Sequence, residues 1–164
     1  MIYLLYGQPA SGKTTLGKLL AQQVNTPFII DGDEFREMFT NKNYGREGRE
    51  ENIRNANAVA TYLNKKGESM DWLAIYCRKA DGVQGVLVNG SDVVMCLVNP
   101  YAHLRQELAN NNEGKVVEIF LQSTRDLRKE YHVKDFEVGN PDHVVCTNNA
   151  IEKTWQDLKK LLNL

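Results

Sequence analysis

The sequence predicts an α/β fold in which a five-stranded parallel sheet is flanked by helices. Short, continuously apolar runs are typical of strands buried on both faces of a parallel sheet, and five such runs alternate with helical patterns along the chain. This alternation predicts right-handed strand–helix–strand units. The five predicted strands are residues 2–6, 27–30, 92–98, 115–121 and 143–147.

Three segments have the apolar spacing of amphipathic helices. The first begins at Lys13 and runs to about residue 24, and the second covers residues 51–67 and is expected to end at Gly67, a favourable C-terminal signal. The third closes the chain over residues 150–162. The predicted buried positions are Leu16, Leu19, Leu20 and Val24 in the first helix, Ile53, Ala56, Ala60 and Leu63 in the second, and Ile151, Trp155, Leu158 and Leu162 in the third.

Length and composition favour one cytoplasmic domain that covers residues 1–164. A chain of 164 residues suffices for a single core, and its three cysteines are odd in number and widely spaced, which favours free thiols in a reducing compartment. No apolar run has the length of a membrane span, and we expect neither a signal peptide nor a membrane partner. The net charge of −1 argues against a nucleic-acid partner.

Residues 68–91 interrupt the strand–helix rhythm. Two strand-like runs flank an Asp81-Gly82 pair, which is a strong signal for a tight hairpin turn. We therefore predict a β-hairpin inserted between the second amphipathic helix and the next strand of the sheet. The hairpin could brace a homodimer, modify a substrate pocket or be a tolerated surface insertion, and the last is the plainest interpretation.

A phosphate-binding loop follows the first predicted strand. The segment GQPASGKT (7–14) has the pattern G-x-x-x-x-G-K-[ST] and opens a predicted helix. Its backbone N–H groups would surround phosphates, Lys13 would contact the β- and γ-phosphates, and the Thr14 hydroxyl would bind Mg²⁺. No N-K-x-D guanine-binding motif is evident, which favours ATP. The candidate ATP-binding residues of the loop are Gly7, Ala10, Ser11, Gly12, Lys13, Thr14 and Thr15.

A second polar cluster follows the second predicted strand. Ligands of parallel sheets bind beyond the carboxyl ends of the strands, where Asp31 and Asp33 of DGDEFR (31–36) are expected beside the loop. A carboxylate there could accept a proton from an attacking hydroxyl or hold a Mg²⁺-bound water. Arg36 lies one helical turn beyond Asp33 and could hold an anion. A turn and a surface ion pair are the plainer interpretations of these residues.

Residues 43–55, NYGREGREENIRN, concentrate arginine, asparagine and an aromatic ring. Arg46, Arg49 and Asn52 are three residues apart and precede the buried stripe of the second helix, so they are expected to face the strand ends. Tyr44 offers a flat face for a base. The alternative is a solvated ladder of ion pairs, which is the favoured interpretation for the glutamates.

These motifs resemble the adenylylsulfate kinases, which phosphorylate the 3′-hydroxyl of adenosine 5′-phosphosulfate (APS). That family combines the loop G-L-S-G-[AS]-G-K with D-G-D-x-x-R, then G-F-S-x-x-D-R-x-E-N-I-R, then a strand ending in V-[SN]-P-Y. This chain has GQPASGK, DGDEFR, NYGREGREENIR and VNPY in the same order. The resemblance covers residues 1–67 and 92–164 and implies a P-loop kinase that uses ATP and Mg²⁺ and acts on APS.

The resemblance also implies a role for individual residues. Asp33 would lie near the attacking hydroxyl and act with Lys13 in catalysis, and Thr14 and Asp31 would hold the metal. A lid over residues 125–140 would bring Arg128 to ATP. The candidate substrate-binding residues are Asp33, Arg36, Tyr44, Arg49, Asn52, Asn99, Lys129 and Tyr131; for Asn99, a simple turn at Asn99-Pro100 is the alternative.

Three other functions stay open on the sequence alone. A kinase of the same fold could phosphorylate another nucleotide, or the hydroxymethyl group of a modified base. A module that binds ATP without turnover would also carry the phosphate-binding loop, although it would have no use for Asp33 and the arginines. Response of ATP consumption to an acceptor discriminates between a kinase and such a module.

Overall fold

The computed structural model of the protein describes residues 1–68, 73–79, 82–88, 92–125 and 127–164; for residues 67–68, 73–79 and 82–88 it describes the backbone alone. The helices are α1 (Lys13–Gln23), α2 (Gly32–Met38), α3 (Arg46–Glu68), α4 (Ala102–Asn111) and α5 (Ile151–Leu162), with a 3₁₀ turn at Lys129–Tyr131. The strands are β1 (Ile2–Tyr6), β2 (Ile29–Asp31), β3 (Leu73–Lys79), β4 (Gly82–Val88), β5 (Val93–Leu97), β6 (Val116–Gln122) and β7 (His143–Cys146).

Five of the strands form one parallel sheet in the order β2-β5-β1-β6-β7. The strand that precedes the phosphate-binding loop is therefore central, with β5 on one side and β6 on the other. The carboxyl ends of all five strands lie along one edge of the sheet. This confirms the predicted α/β fold, and it explains why polar segments far apart in sequence can meet beyond that edge.

Helices cover both faces of the sheet, which is why its strands are apolar on both sides. On one face Leu4 and Met95 pack with Ala56 and Ala60 of α3. On the other face Leu5 packs with residues of α1 and α5, among them Leu16, Leu20 and Leu158. The predicted stripe of α3 is buried as expected, since Ile53, Ala56 and Ala60 are each at most 4% exposed.

Two helix boundaries differ from the prediction. Helix α3 begins at Arg46, five residues before the predicted start, and continues past Gly67 to Glu68. Its first turns are polar and held by ion pairs of Glu50 with Arg46 and Arg54, so apolar periodicity could not reveal them. In α5, Leu158 is buried but Ile151 is 38% exposed, because the first turn of that helix borders a cleft rather than the core.

The inserted hairpin is present as a two-stranded antiparallel sheet of β3 and β4, in which Lys79 pairs with Gly82. Gly82 therefore begins the second strand, whereas Asp81, the other residue of the predicted turn, lies outside the described residues. None of the helices described is both long enough and apolar enough to cross a membrane.

Candidate functional site

A cleft of about 1310 Å³ lies beyond the carboxyl edge of the sheet. Its walls come from the loop after β1, the start of α2, the start of α3, the end of β5, the 3₁₀ turn and the start of α5. A volume above the usual range for one drug-sized ligand, roughly 300–1,000 Å³, leaves room for two small molecules.

The loop after β1 is folded as a phosphate-binding loop. Gly7 has a φ of +154°, and a Cβ at this position would lie 2.5 Å from the carbonyl oxygen of Leu121, so no other residue fits. The Lys13 ammonium donates to the carbonyl oxygens of Gly7 and Gln8 at 3.0 and 2.8 Å, and to the buried Ser11 hydroxyl at 3.3 Å. The loop thus holds its own lysine in position.

Burial of the Lys13 ammonium lowers its pKa to about 8, and the nearby carboxylates Asp33 and Asp31 oppose that shift. An anion that enters the loop would therefore stabilise the charged form of Lys13. Beneath it, Cys96 is 2% exposed, and its burial raises the pKa of the thiol to about 12. Cys96 thus packs as an apolar side chain and is not a nucleophile at neutral pH.

The predicted metal ligands lie together. The Thr14 hydroxyl donates to Asp31 Oδ2 at 2.6 Å, and Asp31 Oδ1 accepts from the Asp33 backbone N–H at 3.0 Å as the N-cap of α2. A hydroxyl and a carboxylate beside a phosphate-binding loop are the oxygen ligands that Mg²⁺ takes when phosphates and waters complete its shell. Among the described residues there is no cluster of three or more His, Cys, Asp or Glu that could hold a metal without phosphates.

The structure brings most of the predicted ATP-binding residues to the cleft. We call their side of the cleft the donor half, and its predicted members are Ala10, Gly12, Lys13, Thr14, Thr15 and Arg128. Gly7 and Ser11 belong to the loop but do not line the cleft. The donor half also contains Arg125, Thr147 and Asn149, which the sequence analysis did not select. Thr147 and Asn149 directly follow β7, so the strand-end argument could have identified them.

Arg36 and Arg49 both line the cleft and lie close enough for their charges to interact. Arg36 donates to the carbonyl oxygen of Asn43 at 3.0 Å, and Arg49 donates through Nε to the carbonyl oxygen of Tyr44 at 2.8 Å. Burial lowers the pKa of Arg36, and the positive charge of Arg49 adds to that shift. Within the described part of the chain neither guanidinium has a salt bridge, although the charge of Asp33 raises the pKa of Arg36 and so partly offsets the lowering.

Two buried asparagines of this region carry side-chain polar atoms that have no hydrogen-bond partner among the described residues. Asn52 is 4% exposed and its Oδ1 is unpartnered, and Asn99 is 1% exposed with both side-chain polar atoms unpartnered. Asn99 has a φ of +38°, and its carbonyl oxygen accepts from the buried Arg105 at 2.8 Å. Both asparagines line the cleft, and their unmet hydrogen bonds favour a polar ligand there.

The remaining predicted substrate-binding residues differ in position. Tyr44 is 62% exposed, and the Arg36 guanidinium lies 4.6 Å from the centre of one face of its ring, which leaves the other face open. Tyr131 also lines the cleft and is 63% exposed. Lys129 does not line it. We call the opposite side the acceptor half, formed by Asp33, Arg36, Tyr44, Arg49, Asn52, Asn99 and Tyr131.

Arg46 does not belong to the cleft, although its spacing from Arg49 and Asn52 suggested that it would. It donates to Glu50 at 2.9 Å, lies 3.7 Å from an oxygen of Asp135 and stacks over Tyr101. Gly48, by contrast, is required beside Arg49. A Cβ at Gly48 would lie 2.2 Å from the carbonyl oxygen of Asn43, so the bend that carries Asn43 and Tyr44 packs directly on α3.

Comparisons with known proteins agree with this fold. A family model described as an AAA domain matches residues 6–95, which include the phosphate-binding loop and the arginine pair. A sequence search of the curated proteins finds no match.

Among solved structures, the APS kinase of Mycobacterium tuberculosis in complex with AMPPNP and APS is similar with a TM-score of 0.71 and 17% identity, over 99% of this chain and 97% of that one. A gluconokinase from Sinorhizobium meliloti has a TM-score of 0.61 and 14% identity, over 98% and 90% of the two chains. A sugar kinase from Janibacter sp. has a TM-score of 0.63 and 14% identity, over 99% and 94%. At these identities the likeness establishes a P-loop kinase fold.

Proposed function

The chain belongs to the AAA-domain family, whose model covers the phosphate-binding loop and helices α1 to α3, and from this premise we propose that it is an ATP-dependent phosphotransferase. Its acceptor is a hydroxyl of a small molecule, and the acceptor that the site supports best is the 3′-hydroxyl of APS. The products would be ADP and 3′-phosphoadenosine 5′-phosphosulfate.

The observation that carries the proposal is the meeting of the donor and acceptor halves in one cleft. Lys13 and Thr14 face the same space as Asp33, Arg36 and Arg49. A nucleotide switch or an ATP-binding module needs the donor half alone. A second half with buried, unpartnered polar atoms and two arginines that have no salt bridge in the described residues supports a reaction between two bound substrates.

In the donor half, the backbone N–H groups of the loop and the N-terminus of α1 would bind the phosphates of ATP. Lys13 would exchange its bonds to Gly7 and Gln8 for the β- and γ-phosphates. Mg²⁺, when bound beside Thr14 and Asp31, supplies charge neutralisation of the phosphates. The residues present fit this ion because both ligands are oxygens.

In the acceptor half, the guanidinium groups of Arg36 and Arg49 fit a group with two adjacent anionic centres, since arginine binds phosphate and sulfate oxygens in pairs. The exposed rings of Tyr44 and Tyr131 offer faces on which a base can stack. A sugar acid would occupy the arginines with a single carboxylate and leave both rings without a partner. A nucleotide with a phosphosulfate uses all four side chains.

The reaction requires a base that accepts the proton of the attacking hydroxyl. The Asp33 carboxylate has no hydrogen-bond partner among the described residues, and its charge is felt by both Lys13 and Arg36. We assign to Asp33 the proton of the attacking 3′-hydroxyl. As the hydroxyl oxygen bonds to the γ-phosphorus, the bond to the oxygen that bridges the β- and γ-phosphates breaks, and ADP leaves with the electron pair.

Transfer of labelled γ-phosphate from Mg-ATP tests the proposal. Purified protein would be incubated with APS, with AMP, with a 3′-deoxy analogue of APS, and with gluconate. We expect label on APS, little on AMP because it lacks the sulfate, and none on the 3′-deoxy analogue.

The identity of the labelled acceptor discriminates between the possible functions. Label on gluconate but not on APS would contradict the assigned acceptor and retain the kinase reaction. ATP binding without transfer to any hydroxyl, including nucleotides and hydroxymethylated bases, would favour a non-catalytic module.

A further inference from the structure

Gln8 is the residue of the phosphate-binding loop that faces away from the cleft. Its neighbours Pro9 and Ala10 line the cleft, whereas Gln8 does not. Its side chain points instead to Val133, a buried residue 125 positions further along the chain. The proposed reaction gives this side chain no role.

The Gln8 side-chain amide forms two hydrogen bonds with the backbone of Val133, one as donor and one as acceptor. Nε2 donates to the Val133 carbonyl oxygen at 2.9 Å, and Oε1 accepts from the Val133 N–H at 3.0 Å. A primary amide is the side-chain group that can donate and accept side by side in this way. In the pattern of the adenylylsulfate kinases this position is a leucine, which could form neither bond.

Val133 is a buried residue that directly follows a segment lining the cleft. The preceding residues 127–132 form a compact turn with internal hydrogen bonds from Tyr131 N to the Arg128 carbonyl and from His132 N to the Lys129 carbonyl. The ring of His132 lies 3.3 Å from the Leu127 carbonyl oxygen. Arg128, Tyr131 and His132 of this turn line the cleft.

Gln8 itself is fixed by the loop that binds phosphate. It follows Gly7, whose conformation only glycine tolerates and whose Cα lies against the Leu121 carbonyl. The two bonds to Val133 therefore connect the phosphate-binding loop directly to the turn that carries Arg128.

We infer that Gln8 is a positioning residue: it holds residues 127–133 against the phosphate-binding loop and thereby sets the affinity for the donor nucleotide. The inference rests on the proposed binding of ATP in the donor half. Without the two bonds the turn would sample positions in which Arg128 and His132 no longer enclose the donor nucleotide.

The test uses Gln8→Met, which nearly preserves volume and removes both hydrogen bonds. Gln106→Met is the matched control, because Gln106 is exposed on α4 and pairs with Asn110 through a bond of 2.8 Å. Binding of Mg-AMPPNP would be measured by calorimetry. Loss of two partly buried hydrogen bonds predicts an affinity about tenfold weaker for Gln8→Met and no change for Gln106→Met.

Amide hydrogen exchange provides a readout that general destabilisation would not reproduce. The Val133 amide should exchange faster in Gln8→Met. The Thr124 amide, which donates to Asn148 Oδ1 at 2.9 Å on the other side of the turn, should keep its protection. Selective exchange at Val133 with weakened binding would support the inference.

Two results would overturn it. One is unchanged nucleotide affinity of Gln8→Met, and the other is equal acceleration of exchange at Thr124 and Val133. Failure of the wild-type protein to bind Mg-AMPPNP would overturn the proposed function and this inference together, whereas wild-type binding that Gln8→Met leaves intact would overturn this inference alone.

Discussion

The donor and acceptor halves of the cleft differ in how their polar groups are satisfied. In the donor half, Lys13 is bound by the carbonyl oxygens of its own loop, and Thr14 is bound by Asp31. In the acceptor half, Asn52 and Asn99 retain unpartnered buried polar atoms, and Arg36 and Arg49 lack a carboxylate partner in the described part of the chain.

This difference indicates how each half contributes to binding. The donor half is organised before a ligand arrives, so phosphate binding replaces existing bonds. The acceptor half carries buried side-chain atoms that the described residues leave unpartnered. We therefore expect its binding to depend on a ligand whose polar groups complete those hydrogen bonds.

The largest expected effect is that of Asp33→Asn. The amide preserves shape but cannot take the proton of the acceptor hydroxyl, so kcat should fall about 10²- to 10⁴-fold. The dissociation constant of Mg-ATP should stay within about threefold of the wild type, because Asp33 influences Lys13 less than burial does. Single-turnover transfer and calorimetry measure the two quantities. Unchanged turnover would remove Asp33 from the chemistry.

Arg49→Ala tests whether the unpaired arginines belong to the acceptor. Loss of a charge-assisted contact should raise KM for the acceptor about 10- to 100-fold with little effect on KM for ATP. Arg54→Ala is the matched control on the same helix, because Arg54 pairs with Glu50 and Glu107 at the surface and should change neither KM. An equal rise in KM for the acceptor and for ATP in Arg49→Ala would contradict the assignment of Arg49 to the acceptor half alone.

Ionisation of Lys13 should give the donor half its own pH dependence. Below the pKa of about 8 the ammonium is charged, so kcat/KM for ATP should be constant there and fall by up to about tenfold per pH unit above it. Folding stability should move in the opposite direction. The unfolded chain binds more protons than the folded one between about 8 and the ordinary value of 10.5, so this group increases the free energy of unfolding as pH rises through that interval.

Lys13→Arg is the control for the pH dependence, because a guanidinium stays charged. Its kcat/KM for ATP should be lower in magnitude but level through pH 8–10. A decline identical to that of the wild type would assign the pH dependence to a group other than Lys13.

The smallest expected effect is on the packing of the acceptor half. Gly48→Ala places a methyl group against the Asn43 carbonyl and should lower the free energy of unfolding by about 1–3 kcal/mol. KM should rise for the acceptor and not for ATP. In Gly45→Ala the new Cβ would meet the end of the Asn43 side chain at 3.0 Å, which can move, so urea unfolding should show a smaller loss. Equal losses would mean that the close approach at Gly48 is relaxed in solution.

The sheet and the phosphate-binding loop could be predicted from the sequence because their signals are local. Five apolar runs and one contiguous loop encode them, and Lys13, Thr14 and Asp31 lie together as the motif required. The acceptor half is assembled from segments far apart in the chain. Motif order brought Arg36, Arg49 and Asn52 correctly to the cleft, but helical spacing alone also brought Arg46, which Glu50 and Asp135 hold elsewhere.

Long-range hydrogen bonds left no pattern in the sequence. The bonds of Gln8 to Val133 and of Arg105 to Asn99 join positions whose pairing depends on how the loops return over the sheet. Pattern analysis of single segments carries no information on such pairs. Thr147 and Asn149 differ, because they come at the end of a predicted strand and their place beside the cleft follows once β7 is paired with β6.

Calorimetric titration of APS into protein saturated with Mg-AMPPNP tests most directly whether the two halves bind two substrates. We expect one molecule of APS to bind per chain while AMPPNP stays in place, and we expect Arg36→Met/Arg49→Met to lose that binding and retain its Mg-AMPPNP affinity. Displacement of AMPPNP by APS would contradict it, because the cleft would then hold a single nucleotide and the arginines would not form a separate acceptor site.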